Sequence, residues 1–145
     1  MRLLVPLDLS RATAAVLTVV SQFAARGGVE AFLLHVVEPD PAFVGYEASS
    51  EAVRDQFAHA YRAQHRELQT HAETLRAEGV AATALLLRGP TAATILRESE
   101  RLQPDLLVMA THGRGALFDL LVGSVSHAVL RSTSVPLLLV PVRAG

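Results

Sequence analysis

The sequence predicts an α/β protein built on a five-stranded, parallel, doubly wound sheet. Short apolar runs alternate with longer stretches of helical spacing, in the order β-α-β-α-β-α-β-α-β. The runs are apolar throughout, as strands covered on both faces must be. Right-handed crossovers between such strands place helices on both sides of the sheet.

Each element has its own signal. Arg2 to Leu7 is a short apolar run, expected as a buried strand. Ser10 can cap a helix running to about Arg26, which Gly27 and Gly28 can end. The stretch "VEAFLLHVVEP" is rich in β-branched and aromatic residues and stops at Pro39, so it reads as the second strand, and "DPAFVGYEASS" reads as a loop. Over residues 51 to 78, Val53, Phe57, Tyr61, Leu68 and Leu75 recur at roughly helical spacing up to Gly79. "VAATALLLRG" is the third strand, closed by Gly89 and Pro90, and Thr91 to Leu102 is a helix. "DLLVMAT" is the fourth strand, a helix from about Gly123 to Arg131 follows, and "VPLLLVPV" is the fifth strand. No internal repeat, linker or low-complexity stretch interrupts the pattern, so residues 1–145 are expected to form one domain.

Composition narrows the function. Half of the 145 residues are hydrophobic, enough for a buried core, and the net charge of -1 argues against a nucleic-acid footprint. With no cysteine, disulfides and thiolate metal sites are excluded. The apolar start is broken at Asp8, too early for a signal peptide or a membrane span, so a soluble, cytoplasmic protein is expected. All thirteen basic residues are arginine, so a phosphate loop of the lysine-containing type cannot exist here.

Ligands of doubly wound sheets bind beyond the carboxyl ends of the strands, where the strand order reverses. Two strand ends carry unusual chemistry: "VPLDLS", with a carboxylate at Asp8, and "MATHGRG". Nine residues separate Gly113 from Gly123, and Ser124 follows at a helix start. Backbone N–H groups and the positive end of the dipole would face the crevice there, with Gly123 admitting an anion close to the backbone and the Ser124 hydroxyl adding a hydrogen bond. The same residues also read as a glycine N-cap on a flexible loop.

The chain resembles the universal stress protein family over essentially its whole length. The likeness rests on "LLVPLDLS", "LLHVVEP", "DLLVMATHGRG" and "LLVGSVSHAVLRSTSVPLLLVPV". The family's ATP-binding branch carries a G-x2-G-x9-G-[S/T] signature, matched here by Gly113, Gly123 and Ser124 and departed from at Ala110. Ala110 ends a strand, where extended backbone suits alanine. The resemblance implies a Rossmann-like, adenine nucleotide alpha hydrolase-like sheet of order 3-2-1-4-5. By the same resemblance Asp8 would contact the adenosine part, and Pro6 and Val36 would line the adenine slot, Val36 partly through its backbone. Gly113, Arg114, Gly123, Ser124 and Val125 would surround the phosphates, with Ser126 a further polar contact. The expected ligand is ATP, with or without Mg²⁺ on its phosphates, and the implied role is in stress response.

The remaining histidines and serines suggest no catalyst. His59, His65 and His71 stand six residues apart and do not share a helix face; they are expected to be solvated or partly packed rather than metal ligands. His35 is expected to be a satisfied core histidine, and His112 an exposed one. Ser124 and His127 lack a nucleophile elbow and an orienting acid. Turnover of ATP should therefore be slow if it occurs at all. Two other readings stay open: an interaction module of the family's non-nucleotide branch, favoured by Ala110, and an enzyme acting on the α-phosphate of ATP. Finally, a fifth strand at the sheet edge, between Pro136 and Pro141, would expose Leu137 to Val140. A homodimer paired through residues 136 to 142 would cover them, as the family resemblance also implies.

Overall fold

In the computed structural model, residues 1–39, 51–111 and 122–142 are described. The elements are β1 (Arg2–Pro6), α1 (Ala12–Ala24), β2 (Glu30–Val37), α2 (Glu51–Ala77), β3 (Ala81–Arg88), α3 (Thr91–Leu102), β4 (Leu106–Ala110), α4 (Ser124–Ser132) and β5 (Leu137–Val140). All neighbouring strands are parallel, as the apolar runs predict, and the order is β3-β2-β1-β4-β5, as the resemblance implies. The order reverses between β1 and β4.

The period-two geometry of each strand divides the core in two. Leu3, Val5, Ala31, Leu33, Ala82 and Val108 meet α1 and α2 on one face. Leu4, Leu34, Val36, Leu107 and Met109 meet Ile95 of α3 and Val129 of α4 on the other. The largest side chains below 2% exposure include Leu3, Leu4, Leu33, Leu34, Ile95 and Leu107; burial of each leucine contributes about 1.5–3 kcal/mol.

Local chemistry sets the element ends. Ser10 starts α1 by accepting the Ala12 N–H on its hydroxyl (3.1 Å) and the Thr13 N–H on its carbonyl (3.0 Å). At the other end Gly27 and Gly28 take φ of 79° and 65°, which a side chain would resist. In α2 the buried residues are Leu68, Ala72 and Leu75, whereas Phe57 near its start is 42% exposed. β5 is shorter than its apolar run suggests, because Pro136 and Pro141 cannot donate to a ladder.

Candidate functional site

The two ends of β1 are held differently. At its amino end Arg2 N–H donates to the Asp105 carboxylate (2.6 Å), and Asp105 N–H returns a bond to the Arg2 carbonyl (2.8 Å). The Arg2 guanidinium reaches Glu30 at 2.8 Å on the β2 side. At its carboxyl end the strands part. β1 and β2 stay paired up to Pro6 with Leu34, but β1 and β4 pair only at Leu3 with Leu106 and Leu4 with Leu107.

Pro6 explains the parting. Successive residues of a strand turn their backbone polar groups to alternate neighbours. The Arg2 carbonyl faces β4, and Leu7 N–H donates to the Leu34 carbonyl of β2 at 2.8 Å. Pro6 therefore turns its nitrogen toward β4, where the missing N–H deletes a rung. The ladder thus ends early at the switch point between β1 and β4, the place where doubly wound sheets leave a crevice for ligands.

One wall of the crevice is the turn after β1. The Leu7 carbonyl accepts the ring Nδ1–H of His35 at 2.7 Å, in a buried contact. Asp8, partly exposed, accepts the Ser10 N–H on its carboxylate at 3.0 Å. Leu9 between them takes φ of 55° while its side chain remains in the core. A leucine in this region is uncommon, and it is held here by burial and by the turn. Val36 is buried against the α3 and α4 side. Because the Leu34 carbonyl faces β1, the backbone of Val36 turns the same way, beyond the last β1 pair.

The other wall is the start of α4. Gly123 N–H donates to the Thr111 carbonyl at 2.6 Å, and the buried Ser126 hydroxyl donates to the Ala110 carbonyl at 2.9 Å. These bonds fasten the first turn of α4 to the end of β4. Ala110 is the extended last residue of β4, paired with Val140. Gly123 has φ of -65° and ψ of 162°, a conformation open to any residue, so its backbone does not require glycine. Ser124 is exposed and Val125 half-buried. The N–H groups of Ser124, Val125 and Ser126 begin the helix, with no carbonyl four residues earlier inside it to accept them.

Pro6, Asp8, Val36, Ala110, Gly123, Ser124, Val125 and Ser126 thus gather at the carboxyl ends of β1, β2 and β4. Gly113, Arg114 and His112 lie outside the described residues. His35 is buried and satisfied, as expected, while His59 and His65 are exposed and His71 half-buried. Among the described residues no three His, Cys, Asp or Glu side chains gather as a metal site, and no helix is long and apolar enough to cross a membrane.

Two residues at this end of the sheet escaped the sequence reading. His35 was legible as a core histidine but not as the support of Leu7. Glu38, just beyond β2, accepts the Thr91 hydroxyl (2.6 Å) and the Thr91 N–H (3.1 Å), capping α3. Those two donors hold the Glu38 carboxyl below its usual value, the hydroxyl contributing most. Only the acid in "VVEP" before the Gly-Pro helix start could have hinted at it.

Comparison with known proteins shows relatives in sequence and in fold. Residues 1–141 match the profile of the universal stress protein family. A relative from Thermus aquaticus, a universal stress protein in the QAH/OAS sulfhydrylase 3' region, is 35% identical over 119 residues, covering 78% of each chain. Among solved structures, hypothetical protein MJ0577 superposes with a TM-score of 0.85 at 22% identity, covering 99% of this chain and 97% of its own. A universal stress protein in complex with cAMP gives 0.66 at 18% identity, covering 97% and 96%. One from Archaeoglobus fulgidus in complex with dAMP gives 0.64 at 17%, covering 97% of both chains. At these identities the structures share the fold.

Proposed function

The chain belongs to the universal stress protein family, and from that premise we propose that residues 1–145 work as one domain that binds ATP in the crevice between β1 and β4. The observation that carries this reading is the parting of those strands at Pro6, with Asp8 on one side and the anchored first turn of α4 on the other. Asp8 accepts hydrogen bonds from the ribose hydroxyls. Pro6 and the Val36 backbone border the adenine. Gly113, Arg114, Gly123, Ser124 and Val125 surround the phosphates, with the helix dipole and Arg114 supplying positive potential without a lysine. Ser126 contributes its backbone N–H, since its hydroxyl is engaged by Ala110.

The residues present fit a nucleotide: a carboxylate for hydroxyl groups and a helix start for anions. Mg²⁺ would be carried by the phosphates, since the crevice brings only the Asp8 carboxylate from the described residues. The bound complexes of the two relatives with cAMP and dAMP support an adenine nucleotide as the ligand class. The protein acts in stress response through a nucleotide-dependent conformation or partner, in the cytoplasm, and forms a homodimer through residues 136 to 142.

Mass spectrometry of the purified protein under native and denaturing conditions tests the reading. Co-purified ATP is the expected result. Protein that carries no nucleotide and takes none up on incubation would favour the interaction module, and release of AMP would favour an enzyme acting on the α-phosphate.

A further inference from the structure

The sheet has two edges, β3 and β5, and their exposed backbones are treated differently. Ala81 N–H donates to the Val29 carbonyl and Gly89 N–H to the Val37 carbonyl, so odd-numbered residues of β3 face β2. The backbone groups of Ala82, Ala84 and Leu86 therefore face outward. Two of those carbonyls are already taken: Arg76 Nε donates to Ala82 at 2.8 Å, and the Tyr61 hydroxyl donates to Leu86 at 3.2 Å. Both donors come from α2. Arg88, at the end of β3, lays its guanidinium 4.7 Å from the centre of the Tyr61 ring and steadies it.

At β5 the pattern differs. Leu107 N–H donates to the Pro136 carbonyl and Thr111 N–H to that of Val140, so Leu137 and Leu139 face outward. No α2-like side chain reaches them from the described residues.

We propose that Tyr61 and Arg76 close the β3 edge to other strands and so restrict strand-to-strand assembly of this chain to β5. A chain with two open edges would pair at both and grow without limit. A chain with one stops at a pair. The closure of β3 stands on its own hydrogen bonds, while the stop at two copies rests on the dimer proposed above.

Sedimentation of the full chain separates the two. Tyr61→Phe with Arg76→Met removes both donors and keeps most of the apolar packing. Its sedimenting mass is expected to rise at least about twofold above the wild type and to grow with concentration. Adding Ala84→Pro, which deletes an outward N–H and no rung to β2, is expected to return it to wild-type size. Arg76→Met alone, should the double variant not fold, is expected to self-associate reversibly. A folded variant that sediments as the wild type at every concentration would overturn the proposal, as would large species that persist with Ala84→Pro. A wild type that is itself monomeric would remove the β5 dimer but leave the comparison at β3 decisive.

Discussion

The ring of His35 donates Nδ1–H to the carbonyl of Leu7 across 28 residues of sequence, at 2.7 Å in a buried contact. That bond takes hold of β1 just where it leaves the sheet, one residue before Asp8. His35→Leu should leave the carbonyl unsatisfied and cost about 1–3 kcal/mol of stability. It should also weaken ATP binding, because the Asp8 turn loses its support. His35→Asn, whose amide nitrogen can occupy the position of Nδ1, should recover much of the affinity. Urea denaturation and calorimetric titration of the two variants check this; equal affinity in both would detach His35 from the site.

Glu38 makes the start of α3 sensitive to acid. Its folded pKa is lowered by the Thr91 hydroxyl and then by the Thr91 N–H. A group whose pKa is depressed on folding stabilises the fold above its unfolded value and loses that contribution as the pH falls through the folded value. The loss therefore begins near the ordinary 4.5 and continues below it. Glu38 is exposed, so solvent screening keeps the effect under about 1 kcal/mol. Glu38→Gln should flatten the decline of thermal midpoint between neutral pH and strongly acidic pH relative to the wild type; parallel curves would remove Glu38 from the account.

Gly123 separates binding from folding. Its backbone angles are open to valine, so Gly123→Val should fold, with an unchanged far-UV circular dichroism spectrum. The branched side chain would stand where phosphate oxygens meet the helix start. ATP affinity should fall by at least about tenfold, or 1.4 kcal/mol. Unchanged affinity would place the phosphates elsewhere.

The readable features are those written locally. Uniformly apolar runs separated by helical spacing specified five strands and four helices, and the helix Thr91 to Leu102 ends where its pattern does. Asp8 could be placed at a strand end and Ser124 at a helix start because the adjoining elements were legible. What stayed hidden depends on distant partners. The His35 bond to Leu7 and the Glu38 bonds to Thr91 span 28 and 53 residues and leave no local pattern. The left-handed Leu9 hid for another reason: leucine carries no signal for positive φ, and only burial and the surrounding turn hold it there. Likewise, Pro6 was visible as a proline, but its effect on the β4 ladder required knowing which neighbour its nitrogen faces.

Calorimetric titration of the wild-type protein with ATP, with and without Mg²⁺ and beside GTP, tests the nucleotide site most directly. Binding of ATP at about micromolar strength, roughly -8 kcal/mol, is expected, and it should weaken by at least about tenfold in Gly123→Val. The absence of both heat and a thermal shift at millimolar ATP would contradict the site and favour an interaction module instead.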